Sequence, residues 1–137
     1  TIFAQEELGL HDTFINTGSA PGWTWQTDDA YIASLGLSST ISDMISYAKM
    51  YLSSEYDFLT DSAAPLHEIN ADFSSGCMWN ISDKGRIIAQ SGETASGCAQ
   101  ICICIPDGTA VIALSNYPND RYGDLSDIAM ALLKGEA

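Results

Sequence analysis

Gln90-Ser91-Gly92-Glu93-Thr94 gathers an amide, hydroxyls, a glycine and a carboxylate where one expected strand ends, just before the next. Ser91 offers a hydroxyl, and Gly92 leaves the backbone bare, so a ligand can approach the strand closely. The run reads as one wall of an active site, and Gln90, Ser91, Gly92 and Glu93 are the candidate site residues. Such a wall needs a partner, above all a nucleophile on a buried helix. No residue of the chain fills that role convincingly, so the sequence reads as part of an enzyme.

Other constellations are weaker. A Ser-His-Asp triad can be assembled only through His11 or His67, each in an expected loop, with no glycine-flanked nucleophile elbow. The run Asn116 to Asp124 holds oxygen ligands but lacks the spacing and glycine of a calcium loop. Cys77, Cys98, Cys102 and Cys104 do not make paired Cys-x-x-Cys motifs. The last three share one strand face, where neighbours two apart run too parallel for a disulfide, so a buried reduced set is expected. Neither a metal nor a cofactor is expected.

The chain has 137 residues, enough for one domain with no internal boundary. Eighteen acidic residues face five basic ones, for a formal net charge of −13. Nucleic acid is an unsuitable partner, because phosphates need a basic stripe and Lys49, Lys84, Arg86, Arg121 and Lys134 are scattered. Anionic membranes are disfavoured on the same ground. The acidic balance is read as solubility by self-repulsion, with docking on a basic partner as the alternative. No apolar run approaches the roughly 20 residues that cross a bilayer, so membrane insertion is not expected and the chain should be soluble. The opening TIFAQEELGL has neither a basic nor an apolar leader region and reads as a cleavage point or boundary.

The elements that must position the wall are legible in part. Residues 1 to 12 read as a helix end or loop, and residues 16 to 30 as a long loop anchored by Trp23 and Trp25. Thr40, with Asp43 three residues on, predicts a capped helix. Ile41, Met44, Ile45, Ala48 and Leu52 form its inward stripe, and Ser42, Ser46, Lys49 and Ser53 face outward. A last helix follows Asp124, with Leu125, Ile128, Ala129, Leu132 and Leu133 inward, Lys134 near its end and Gly135 as its stop. Between them the period falls to two, which predicts strands at Gly76 to Ile81, Arg86 to Ser91, Cys98 to Ile105 and Thr109 to Ser115. Ser82-Asp83-Lys84-Gly85 and Pro106-Asp107-Gly108 are short turns. The expected class is α+β, an antiparallel meander with helices packed on it.

The order of segments resembles the C-terminal half of the serine β-lactamase and penicillin-binding-protein superfamily, in particular its class C, D-Ala-D-Ala carboxypeptidase and esterase-like members. Leu8-Gly9-Leu10-His11-Asp12-Thr13 looks like the Leu-Gly-Met-x-x-Thr segment of that family. Gly36-Leu37-Ser38-Ser39-Thr40-Ile41-Ser42-Asp43-Met44 looks like its Gly-x-x-Ser-Thr-x-x-Asp helix start. Gly76-Cys77-Met78-Trp79 resembles its Gly-x-Gly-Trp strand, and Val111-Ile112-Ala113-Leu114-Ser115-Asn116 its closing strand.

Of the three motifs that make that family's active site, Gln90-Ser91-Gly92 holds the place of the third, Lys-Thr-Gly or His-x-Gly. Gln90 replaces the cation or the His, and the distance to Gly97 is one residue longer than the commonest pattern. The resemblance implies that the backbone N–H of Glu93 is an oxyanion-hole donor. Ser46-Tyr47-Ala48-Lys49 and Tyr117-Pro118-Asn119 imitate the other two motifs. A catalytic serine belongs at a helix start beside a lysine buried enough to lose its proton, whereas Ser46 and Lys49 fall mid-helix on the polar stripe. Tyr117 also follows Gln90 in the chain where the family's equivalent precedes it.

The resemblance thus implies the C-terminal portion of a larger domain in a penicillin-recognising serine hydrolase, inactive alone. Its partners would be the N-terminal half of its own domain and a peptide, ester or β-lactam substrate. The resemblance implies the cell envelope or the outside of the cell for the parent protein, whereas the unpaired cysteines argue for a reducing interior. Apolar faces left uncovered in the fragment favour dimerisation. The alternative is a non-catalytic acidic binding module or pseudoenzyme domain.

Overall fold

Thr40 starts the first long helix by accepting the Asp43 N–H on its side chain at 3.3 Å, and α1 runs Ile41–Ser53. A computed structural model describes residues 3–16, 19–20, 23–24, 26, 28–30, 32, 36–95, 97–118 and 124–136. The side chains of Trp23 and Trp25, and all of Asn119 and Arg121, lie outside the described residues.

Met44, Ala48 and Leu52 of the predicted stripe of α1 pack into the core, but the buried face is turned toward Asp43, Tyr47 and Tyr51, and Ile41 and Ile45 stay exposed. Two anchors outweigh the isoleucines. One is the aromatic pair Tyr47 and Tyr51, whose rings meet edge-on at 5.3 Å. The other is Asp43 Oδ2, which accepts the Asp12 N–H and the Thr13 hydroxyl, each at 2.8 Å. Ser39 Oγ lies 2.8 Å from Thr13 Oγ1, so the segments Leu8 to Thr13 and Gly36 to Met44 are tied together at the helix start. Asp43→Ala removes the acceptor of both the Asp12 N–H and the Thr13 hydroxyl, leaving Thr13 only its contact with Ser39, and should lower stability by about 2 kcal/mol. Guanidinium unfolding curves check this, and Asp43→Asn should recover part of the loss.

The sheet has six antiparallel strands in the order β10-β9-β8-β7-β6-β5. These are β5 His67–Glu68, β6 Ser74–Ser75, β7 Asn80–Ser82, β8 Ile87–Thr94, β9 Gly97–Cys104 and β10 Thr109–Ser115. Two small ladders lie N-terminal to it, β1 (Phe14–Ile15) with β4 (Leu37–Ser38) and β2 (Ser19–Ala20) with β3 (Trp23–Thr24). Phe3–Glu7 forms a π-helical turn where a helix end or loop was expected. A short helix that the pattern did not predict, α2 (Asp57–Ser62), follows α1, and α3 (Leu125–Lys134) closes the chain.

Alternation along the strands divides the core in two. Ile81, Ile88, Ile101 and Ile103 point to one face and pack against Ala48 and Tyr51 of α1, Leu59 of α2 and Trp79. Ala89 and Cys102 point to the other face and pack against Ala129 of α3. The Asp124 carboxylate caps α3 by accepting the Ser126 N–H, and Gly135 ends it at φ 70°. Of the predicted inward stripe, Ala129 is buried and Leu133 packs against the same cluster, while Ile128 and Leu132 remain exposed and Met130 takes a sheet-facing position instead.

Two strand predictions need correction. Gly76 to Ile81 is a hairpin rather than one strand: the chain reverses at Cys77-Met78, closed by the Gly76 N–H donating to the Trp79 carbonyl at 2.9 Å. Gly76 is required there, since a Cβ would sit 2.9 Å from the Ser62 carbonyl oxygen at the end of α2. The predicted strand ending at Ser91 continues to Thr94, because Gly92, Glu93 and Thr94 pair with Ala99, Cys98 and Gly97.

Candidate functional site

The bonding phase of β8 decides which of its groups face outward. The Ile105 N–H donates to the Arg86 carbonyl at 3.1 Å, just beyond the Ile87↔Cys104 pair. Bonded and non-bonded pairs alternate in an antiparallel ladder. Ile88, Gln90 and Gly92 therefore exchange bonds with β9, while the backbone groups of Ile87, Ala89, Ser91 and Glu93 point to the β7 side. β7 meets them only as far as Ala89, opposite Asn80. Among the described residues, no strand covers Ser91 on that side.

The reason β7 stops is Trp79. Its indole is buried, donates Nε1–H to the Tyr51 hydroxyl at 3.0 Å, and stacks edge-on against that ring at 5.1 Å. Trp79 turns inward at the point where the β7–β8 ladder ends, and Met78 at the hairpin tip takes a left-handed φ of 66°. That conformation strains a residue with a Cβ, and such strain collects where a site needs a fixed edge.

The open edge borders a cavity of about 560 Å³. Its floor is the sheet face bearing Gln90, Gly92, Ala99, Ile101 and Leu114. One wall is Met44, Tyr47 and Tyr51 of α1 with Phe58, Leu59 and Ser62 of α2, and the other is the tip Cys77, Met78 and Trp79. Ser91 and Gly92 are exposed and Gln90 is half-buried, so three of the four residues singled out in the sequence line a groove open to solvent. Glu93 is exposed on the same strand beyond the lining. The Asn80 side chain donates to Gln90 Oε1 at 3.3 Å and holds that amide at the groove.

The polar groups inside the cavity support one another rather than a reaction. Tyr51 Oη lies 3.4 Å from Tyr47 Oη and 2.8 Å from Ser62 Oγ, and Ser62 donates to the Leu59 carbonyl at 2.7 Å. Burial first, and the Tyr51 hydroxyl second, push the Tyr47 phenol well above its ordinary range, so it stays protonated. Among the described residues, the lining has no Lys, Arg, His, Asp or Glu to activate a hydroxyl. What the site offers is an apolar chamber beside outward-facing main-chain donors and acceptors, suited to holding an extended ligand.

The remaining candidates lie elsewhere. Ser46 is exposed on α1 and donates to its own Ser42 carbonyl at 3.2 Å, and Lys49 is exposed too. His11 is exposed in the turn after Leu10, and His67 is exposed on β5 at the far edge of the sheet. Tyr117 is exposed past the end of β10. Among the described residues, no three His, Cys, Asp or Glu side chains converge on a metal position, and no helix is long and apolar enough to cross a membrane.

Tyr47, Tyr51, Phe58, Ser62 and Met78 are lining residues that the sequence reading did not single out. The spacing of Tyr47 and Tyr51, four apart on one helix, is the signal that was available.

The cysteines divide in the same way. Cys98, Cys102 and Cys104 are buried and unbridged, while Cys77 is exposed at the cavity rim. Burial raises the Cys102 thiol, against an opposing hydrogen bond from Gln100, and makes it a poor nucleophile. A thiol reagent should therefore titrate one cysteine rapidly in the native protein and all four after unfolding. Peptide mapping should place the fast adduct on Cys77.

No protein-family model matches the sequence, and no curated protein matches it. Among solved structures, the chain is similar to the octameric penicillin-binding protein homologue from Pyrococcus abyssi, with a TM-score of 0.65 and 18% identity. The likeness covers 96% of this chain and 36% of that one, so the chain spans about a third of that protein's length. The fold is α+β, with an antiparallel six-stranded sheet that corresponds to part of a penicillin-binding-protein-like fold.

Proposed function

We propose that these 137 residues form the C-terminal part of a serine hydrolase domain of the penicillin-recognising kind and supply one wall of its acyl-transfer site. The observation that carries the reading is the β8 edge. Ser91 aims its backbone groups past the end of β7, beside a chamber that has no nucleophile-activating group among its described lining residues. An extended ester or amide would add along that edge as a further strand, and a main-chain donor of the edge would polarise its carbonyl. The attacking hydroxyl would come from polypeptide outside this chain. Exposed Ile41 and Ile45 on α1, and Ile128 and Leu132 on α3, fit faces that further polypeptide covers.

Turnover of p-nitrophenyl esters and of nitrocefin, by this chain and by the longer protein containing it, tests the reading. The expectation is activity in the longer protein only. Hydrolysis by the isolated chain, abolished by Ser46→Ala, would refute it. Gln90 and the net charge of −13 favour one second reading, a non-catalytic acidic module. That reading prevails if the longer protein is inactive and a basic protein binds the chain.

A further inference from the structure

The chamber beside β8 is unusual in its charge, and this deepens the hydrolase reading on which it rests. A site that draws a free carboxylate out of water needs a cation or several donors around it, because an anion gives up hydration there that unpaired surroundings do not replace. Here the floor residue nearest the open edge is Gln90, a neutral amide whose Oε1 is already engaged by Asn80. The described cations are elsewhere. Arg86 pairs with Asp83 at 3.5 Å and Asp107 at 2.9 Å, at the opposite end of β8. Lys84 sits in the neighbouring turn, Lys49 on the outer side of α1 and Lys134 in the last turn of α3. The net charge of −13 adds a repulsive field that screening leaves effective over about 8 Å.

The rest of the chamber is apolar and wide. Met44, Phe58, Met78 and Leu114 face it, and methionine beside aromatic rings makes an adaptable lining for a bulky apolar group. Along its rim the Ser91 backbone offers one donor and one acceptor aimed past the end of β7.

We infer that this cavity takes an uncharged, extended acyl compound: a peptide-like ester or amide with a bulky apolar side chain and no free carboxylate beside Gln90. The amide of Gln90 then hydrogen-bonds a neutral carbonyl, Ser91 pairs with the ligand backbone, and the side chain fills the chamber. Binding alone is at issue, so no bond is made or broken.

The test uses two ligands that differ by one charge, N-acetyl-phenylalanine methyl ester and N-acetyl-phenylalanine, each as both enantiomers. Affinity for the 137-residue chain is read by calorimetry, and the site by amide chemical shifts of Ser91 and Gly92. The ester should bind at least tenfold more tightly than the acid and move those two resonances. Gln90→Lys should reverse the preference, and Gln90→Met should weaken both ligands while leaving the ester ahead. Equal or tighter binding of the acid, or no movement at Ser91 and Gly92 with the ester, overturns the inference. Ester binding here combined with no hydrolysis by the longer protein would sink the hydrolase reading and leave this one standing.

Discussion

Gly92→Val is expected to abolish ligand binding at the β8 edge while leaving the fold intact. A Cβ built at Gly92 meets nothing within 4 Å, because the position faces open cavity. The backbone there is ordinary strand, so a β-branched residue suits it. The added methyls stand on the floor between Gln90 and the hairpin tip, where an extended ligand must lie. Displacing a bound acyl group by about 1 Å is enough to cost roughly 100-fold in rate. The expected result is a fall of about that size or more in ester turnover by the longer protein, with loss of ester binding by this chain. The melting temperature should hardly move. A large drop in melting temperature would instead make Gly92 a packing residue and remove it from the site.

Gly97→Ala is expected to do the reverse. A Cβ at Gly97 would collide with the backbone carbonyl oxygen of Ser115 and approach the Asn116 Cα at 3.4 Å. The obstacle is main chain, which cannot rotate away as a flexible side chain does. Gly97 also closes the β8–β9 hairpin opposite Thr94, so any shift propagates into both strands. Overpacking of this kind should cost about 3 kcal/mol, a large part of the stability of a small domain. Denaturant unfolding with a lowered midpoint and unchanged slope checks it. Two glycines on paired strands thus separate the site from the scaffold: one leaves room for a ligand, and the other leaves room for the chain itself.

Elements whose ends are set by local chemistry were legible in the sequence. Thr40 and Asp124 cap the two long helices through their own side chains, and Gly135 stops the second. β10 spans Thr109–Ser115 as its alternation predicts. What was illegible depends on contacts between distant segments. The reversal at Cys77-Met78 has no Gly, Asn or Asp at its tip, because burial of Trp79 against Tyr51 drives it rather than turn propensity. The rotation of α1 follows from Asp43 reaching back to Asp12 and Thr13, which no helical period encodes. Gln90, Ser91 and Gly92 stood out because a glycine and polar side chains interrupt a strand. The walls from α1, α2 and the hairpin tip did not, since Met44, Tyr47 and Phe58 are ordinary core residues by type.

The central claim is that the strand carrying Gln90 to Glu93 borders a cleft whose attacking hydroxyl lies outside this chain. Covalent labelling of the longer protein tests it most directly, using an uncharged fluorophosphonate ester followed by peptide mapping. The account predicts a single adduct on a serine outside residues 1 to 137, lost with the substitution Gly92→Val. An adduct on Ser46, Ser62 or Ser91, or no adduct at all, would contradict it.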